Sequence, residues 1–206
     1  MTEYQIWSLV IEAVGVIATV IIIFIALFGE KIKQLWNSPK LKIDLTEPTC
    51  NITGPPSKQW GWYYRIKVWN KRKRVPAENT ILNLNKVYKK TSEYDWQEQH
   101  FSGPSQINWQ WTKTTPRKIN IGYNEEIATF GSILEHGNLF NLKLYEYPNN
   151  LRRSIQANEP TVLEFQAVAY NAKSKPLLVE VSWNGEWSNK ELEMKKKCVV
   201  HQIKKI

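Results

Sequence analysis

The densest group of charged side chains lies between Arg65 and Arg74, where six cations occur in ten residues without an acid. Like charges at this density are costly unless water or a counter-charge is near, and the phosphates of lipids, nucleotides or nucleic acids supply such a charge. The group therefore predicts a binding site for a phosphate-bearing ligand, with a set of solvated turns as the alternative. Its members are Arg65, Lys67, Lys71, Arg72, Lys73 and Arg74.

Two further groups extend the predicted site. Two tryptophans alternate in sequence shortly before one basic pair, and a second basic pair follows later in the chain. Aromatic rings beside basic grooves hold nucleotide bases and single strands by stacking. Alternating tryptophans also fill the cores of β-sandwiches, so both roles are open for them. The residues added to the site are Trp109, Trp111, Arg117, Lys118, Arg152 and Arg153.

Residues for catalysis are sparse. The chain has no phosphate-binding glycine loop, no nucleophile elbow and no zinc-protease motif. Its three histidines lack metal-ligand spacing, and the alternative is a site assembled in space from His100, His136, Cys198 and a carboxylate. Cys198 and Cys50 are more typical of small apolar fillers than of nucleophiles. We therefore predict a protein that is not an enzyme and uses no metal or other cofactor.

The predicted site must be positioned by two unlike parts of the chain. From Ile6 to Phe28 only one side chain, Glu12, is ionisable. At 1.5 Å per residue this segment is about 34 Å long, enough to cross a hydrocarbon core of roughly 30 Å. No basic residue precedes it and no small-residue cleavage site follows it, so we expect an uncleaved anchor rather than a signal peptide.

The charges that flank the anchor predict its orientation. Lysines follow it at 31, 33, 40 and 42, whereas none precedes it. The positive-inside rule then leaves the N-terminus outside and residues 37–206 in the cytoplasm. The two cysteines suit a reducing compartment as free thiols, and the sequon at Asn51 would be coincidental. The reverse topology, with an envelope domain in the periplasm, is the less favoured alternative.

One stripe of the anchor collects its polar and glycine residues. Successive residues of this stripe are 4, 3, 4, 3, 4 and 3 positions apart in sequence, which is the period of a left-handed helix bundle. Helices associate in lipid through small residues and through polar groups that avoid hydrocarbon. The stripe predicts a homo-oligomer, with or without a pore, and a simple anchor is the alternative. The residues are Ser8, Glu12, Gly15, Thr19, Ile22, Ala26 and Gly29, of which Ser8, Glu12, Gly15, Thr19 and Ala26 form the predicted oligomer or pore face.

Residues 37–206 predict an all-β domain. The chain has a net charge of +9 and its first 36 residues have −1, which leaves +10 for this part. Short alternating segments separated by Pro, Gly and Asn favour an antiparallel β-sandwich. Asn184-Gly185 predicts a hairpin turn after one of them, and Ser188 with Glu191 predicts a short helix over 189–196. The predicted strands are 40–45, 63–69, 80–88, 106–111, 118–121, 126–133, 139–145, 162–170, 177–183 and 198–203.

One segment carries a resemblance to a known fold. The stretch from Tyr64 to Leu82 contains an alternating strand ending in Val68-Trp69-Asn70, then a turn, then Ala77-Glu78-Asn79 before the next strand. It resembles a hairpin of immunoglobulin-like sandwiches in prokaryotic proteins, many of which have one N-terminal membrane helix. Residues 71–74 replace the usual turn glycine. The resemblance implies an immunoglobulin-like sandwich and a bacterial or archaeal cytoplasmic membrane.

Two functions are compatible with these parts. By architecture the chain is similar to small membrane effectors of antiphage defence systems, in which a companion nucleotidyltransferase makes the signal. This resemblance implies an oligomeric effector, pore-forming or not, gated by a nucleotide or single-stranded oligonucleotide on its basic domain. A ligand that bridges subunits would supply the differential affinity that gating requires. The alternative is a membrane-tethered protein-interaction module without channel activity.

Overall fold

The computed structural model describes residues 2–53, 60–72, 74–92, 95–110, 118–135 and 137–206. The chain forms two compact units, Met1–Ser38 and Pro39–Ile206, which divide two residues after the predicted boundary. The first unit is one helix, α1 (Glu3–Asn37). Its segment Val10–Lys31 has a mean hydropathy of 2.8 and is not buried. By length and composition α1 is able to span a membrane.

The second unit is a two-sheet antiparallel β-sandwich, as predicted. One sheet has the strand order β1-β2-β7-β8-β9, and the other has the order β12-β11-β10-β3-β4, with β5 and β6 also paired to β3. The elements are β1 (Leu41–Thr53), β2 (Gly61–Asn70), β3 (Ala77–Lys90), β4 (Trp96–Glu98), β5 (Ser105–Ile107), β6 (Ile119–Ile121), β7 (Glu126–Leu134), β8 (Leu139–Leu142), β9 (Ser154–Gln156), β10 (Thr161–Val168), β11 (Leu177–Trp183), α2 (Glu191–Lys197) and β12 (Cys198–Ile203).

The strand order has an immunoglobulin-like centre. Immunoglobulin domains place strands A, B and E in one sheet and C, F and G in the other. Here β1, β2 and β7 occupy the A, B and E places, while β3, β10 and β11 occupy the C, F and G places. The strands β8 and β9 extend the first sheet, and β12 adds an edge to the second.

Side-chain alternation on the central strands builds the core. On β2 the even-numbered side chains from Trp62 to Val68 are buried, and the odd-numbered ones face outward. The ring of Tyr64 lies 5.1 Å from that of Phe140, and Phe130 lies 5.1 Å from Phe165 in the other sheet. Burial of each such side chain stabilises the fold by about 1.5–3 kcal/mol, so the packing of these aromatic rings holds the two sheets together.

The segment that resembles a hairpin is not one. Both strands exist where they were predicted, but β2 pairs with β1 and β7, whereas β3 pairs with β10 and with the short strands β4, β5 and β6. The connection 71–76 therefore crosses from one sheet to the other. The hairpin prediction was wrong because the same local alternation serves strands that pair with each other and strands that face each other across the core.

Two other local predictions were right only in part. The turn signal at Asn184-Gly185 does start a turn, in which Gly185 has a φ of +91° and Asn184 Oδ1 accepts the N–H of Glu186. The chain then forms α2 before β12 pairs with β11, so the connection is not a two-residue hairpin. The helix itself is confirmed at Glu191–Lys197, but its N-cap is Lys190, and the Ser188 hydroxyl donates to Glu193 instead.

Candidate ligand-binding site

The strand directions gather several connections at one end of the sandwich, which we term the basic end. There β1 begins beside the last residue of β2, and β3 begins beside the last residue of β6. The ends of β10 and β12 and the start of β11 lie at the same level. The basic end comprises residues 39–40, 71–72, 74–76, 122–125, 169–176 and 204–206.

The predicted basic residues divide between this end and the opposite one. Arg72 and Arg74 lie with Lys71 in the β2–β3 connection, and all three are exposed. Arg152 and Arg153 lie near Lys89, at the other end of β3, where Arg152 pairs with Glu159. From Ala77 to Lys89 a strand rises about 40 Å at roughly 3.3 Å per residue. One small ligand therefore cannot contact both groups, and the predicted basic residues do not form one compact site.

The β2–β3 connection is held by Asn70, which is 2% exposed. Its Oδ1 accepts the backbone N–H groups of Lys40, at 2.9 Å, and Arg72, at 3.0 Å. Its Nδ2 donates to the carbonyl of Val75 at 2.7 Å. A buried side-chain amide thus holds this connection, because it satisfies backbone groups that have no strand partner there.

Asn70→Ala should therefore destabilise the sandwich. Loss of these bonds leaves buried N–H and carbonyl groups unpaired, and we expect a decrease of about 2–3 kcal/mol in the free energy of unfolding. Urea unfolding of the full chain in detergent, followed by tryptophan fluorescence, measures this. The control is Asn120→Ala, since exposed Asn120 accepts only the N–H of Asn79. Equal midpoints for the two variants would show that Asn70 does not hold the connection.

A groove opens beside this connection. It has a volume of about 310 Å³ and is lined by Trp69, Asn70, Lys71, Tyr123 and Glu125. The Lys67 ammonium lies 5.4 Å from the centre of the Trp69 ring, and the Tyr123 side chain is 72% exposed. Aromatic faces next to exposed cations can stack a base and neutralise a phosphate.

Two half-buried cations lie on the outer face of the first sheet. Burial lowers the pKa of the Arg65 guanidinium, although nearby Tyr63 opposes the shift. Burial also lowers the pKa of Lys143. Neither forms an ion pair within the described residues, and Arg65 Nε has no hydrogen-bond partner there. Partly desolvated cations of this kind attract anions more strongly than fully hydrated ones.

Two of the remaining predicted residues, Trp109 and Lys118, do not line the groove. Trp109 is 3% exposed and forms a bridge with Ala128, so it belongs to the core and its prediction as a stacking platform was wrong. Lys118 is exposed just before β6. Lys73, Trp111 and Arg117 lie outside the described residues. Sequence reasoning missed Tyr123, since no local pattern shows which turn will face Trp69.

The polar stripe of α1 lies on one continuous helix. At 100° per residue its seven members fall within a sector of about 100°. The Thr19 hydroxyl donates to the carbonyl of Gly15 at 2.8 Å, which satisfies it within the helix. A Cβ added at Gly15 would meet no atom within 4 Å. This face therefore has room for a second helix to approach.

Comparison with known proteins gives no family assignment. No protein-family model, no curated protein and no solved structure matches this chain significantly. Within the described residues, no three His, Cys, Asp or Glu side chains are grouped to hold a metal ion. Cys198 is buried at 3% exposure, and His100 and His201 are exposed. The inference of function consequently rests on the groove, the basic end and α1.

Proposed function

We propose that the protein is a membrane-anchored effector that self-associates through α1 and binds a nucleotide or short single-stranded oligonucleotide in the Trp69–Tyr123 groove. The observation that carries the proposal is the groove itself, in which Lys71 adjoins two accessible aromatic rings. In this proposal α1 spans the cytoplasmic membrane of a bacterium or archaeon with its N-terminus outside and the sandwich in the cytoplasm.

The dimensions of the groove favour a partly enclosed ligand. Small-molecule sites commonly have volumes of about 300–1,000 Å³, so this groove is near the lower limit. A bound nucleotide would place its base against Trp69 or Tyr123 and its phosphate near Lys71, with the exposed Arg74 in the same connection. An oligonucleotide would then follow the exposed cations of the basic end, which is how single strands are held without sequence preference.

Self-association provides the link from ligand to membrane. A ligand that contacts two sandwiches would favour one arrangement of their helices over another, which is the differential affinity that gating requires. The resemblance in architecture extends the proposal to antiphage defence, with a companion nucleotidyltransferase as the source of the ligand and with membrane permeabilisation as the output. Glu12 and Thr19 would then face the axis of the helix assembly.

The deciding experiment is purification of the full chain in mild detergent without nuclease. Subunit stoichiometry and the ratio of absorbance at 260 and 280 nm are measured on the same sample. The proposal expects a defined oligomer with bound nucleotide. A nucleotide-free monomer would contradict it and favour the protein-interaction module. The docking edge of that module would be β12, since among the described strands β12 pairs only with β11, and Val199 is 43% exposed.

Charge reversal tests the place of the ligand. Lys71→Glu with Arg74→Glu should weaken binding of a fluorescein-labelled deoxythymidine hexamer by about tenfold or more and lower the salt slope by about 1 per lost phosphate contact. Fluorescence anisotropy at several salt concentrations measures both. The control, Arg152→Glu with Arg153→Glu, makes the same charge change at the opposite end and should bind nearly as wild type does. Equal losses in the two variants would refute the groove as the site.

A further inference from the structure

Ion pairing differs between the two ends of the sandwich. At the opposite end and beside it, cations pair with carboxylates: Lys86 with Glu98, Lys89 and Arg152 with Glu159, Lys190 with Glu193, Lys195 with Glu191, and Lys197 with Glu186. At the basic end, seven exposed cations form no ion pair within the described residues. These are Lys40, Lys71, Arg74, Lys173, Lys175, Lys204 and Lys205.

These cations are spread over separate segments rather than converging on one point. They come from the start of β1 and from the connections β2–β3 and β10–β11, and two follow β12. Only Lys71 lines the groove. Glu78, Glu125 and Glu126 are the acids in or next to these segments. A broad surface with an excess of unpaired positive charge suits an extended layer of anions better than one small ligand.

The short covalent link between α1 and the sandwich keeps one extended layer of anions, the lipid headgroups, near the basic end. Trp36, one residue before the end of α1, is 80% exposed, and tryptophan prefers the headgroup level of a membrane. Lys40 is already fixed in the sandwich by its bonds to Asn70 and Lys71. Four residues span at most about 14 Å when fully extended. That length keeps Lys40 close to the surface from which α1 emerges, within one or two Debye lengths of about 8 Å.

We propose that the basic end docks on the anionic lipid headgroups of the leaflet from which α1 emerges. The seven cations supply electrostatic attraction, and the tips of two connections supply Tyr123 and Tyr170, which are 72% and 86% exposed. Tyrosine rings favour the membrane interface because they have an apolar body and a polar tip. The tether has already removed most of the translational freedom that binding would cost, so weak contacts suffice.

This docking goes beyond nucleotide binding and requires only that α1 spans the membrane. Lys71 and Tyr123 cannot contact lipid headgroups and a base at the same time, so a docked basic end and an occupied groove exclude each other. The test uses the full chain in lipid nanodiscs, with or without about 30% phosphatidylglycerol. Asn124→Cys in a Cys50→Ser background carries a fluorophore at the basic end, and Asn149→Cys carries it at the opposite end. Both positions are exposed. Headgroup-attached spin labels quench a fluorophore that lies near the lipid surface.

The expected result is about twofold stronger quenching at position 124 in anionic than in neutral nanodiscs, with the difference lost near 0.5 M salt. Position 149 should show no dependence on lipid charge. Replacing Lys173, Lys175, Lys204 and Lys205 by Gln should remove the difference at 124. The matched control replaces four cations at and near the opposite end by Gln: Lys90, Arg152, Arg153 and Lys196. This control should keep the difference in quenching at position 124.

Two outcomes would overturn the docking. One is quenching at position 124 that does not depend on lipid charge; the other is equal responses at 124 and 149. The deoxythymidine hexamer is titrated in neutral nanodiscs as a separate readout. Hexamer binding without a lipid effect would mean that these cations serve a soluble ligand, whereas a lipid effect without hexamer binding would leave docking intact and refute the nucleotide site.

Discussion

A full-length protein with Gly15→Leu is expected to be a monomer in detergent and to lose any ability to permeabilise membranes. Leucine fits the isolated helix, because nothing lies within 4 Å of an added Cβ at this position. Its side chain would instead separate two helices that approach along the polar stripe. We expect a loss of about 2 kcal/mol per contact, or roughly thirtyfold in the dissociation constant. Light scattering after size-exclusion chromatography measures the subunit number.

The matched control is Ala13→Leu, which adds a similar volume on the other side of α1. At 100° per residue, Ala13 lies about 150° from the centre of the stripe. This variant should keep the oligomer. Glu12→Leu should resemble Gly15→Leu, because a carboxylate within an apolar segment is stabilised by the polar interior of a bundle rather than by lipid. If Gly15→Leu remains oligomeric while Ala13→Leu dissociates, the stripe is not the contact face.

Gly131→Ala should cause the largest loss of stability in the sandwich. A Cβ at Gly131 would overlap Cζ of Phe140, which is fully buried against Tyr64. Relief of that overlap requires displacement of a core ring or of β7, and we expect about 3 kcal/mol of destabilisation. For a domain of this size the melting temperature should fall by about 10 °C. Thermal unfolding of the full chain in detergent measures the change.

Gly122→Ala serves as the control for that substitution. An added Cβ there meets no atom within 4 Å, and Gly122 does not have a positive φ. Its melting temperature should stay within about 2 °C of wild type, since surface substitutions away from packed contacts commonly change stability by less than 0.5 kcal/mol. An unchanged melting temperature for Gly131→Ala would mean that β7 and β8 have enough freedom to accommodate the extra methyl group.

The long central strands could be predicted from sequence because their pattern has enough repeats. β11 alternates over seven residues, and β2 alternates over nine, from Trp62 to Asn70. The strands β4 and β9 were missed, since each has three residues and such a segment contains no measurable period. They exist because longer neighbours, β3 and β8, offer backbone groups to pair with.

The candidate site depended on distances that sequence patterns do not encode. Local composition marked the groups near Lys71 and Arg152 as equivalent basic clusters. Their separation follows from the direction of β3, and their different ion pairing follows from which carboxylates the fold brings near. In the same way, the alternation of Trp109 was compatible with either face of a sheet until its bridge to Ala128 fixed the inward one.

The bonding of Lys40 has a mechanical consequence. Its N–H is held by Asn70, and its carbonyl accepts the N–H of Lys71. Both partners also line the Trp69–Tyr123 groove. A force applied to the chain at Pro39 would therefore act first on Asn70 and Lys71 in the wall of the groove, and only then on the buried aromatic rings of the core. A force transmitted from the anchor and a ligand bound in the groove would both act on Asn70 and Lys71. These two residues would therefore couple the anchor mechanically to the groove.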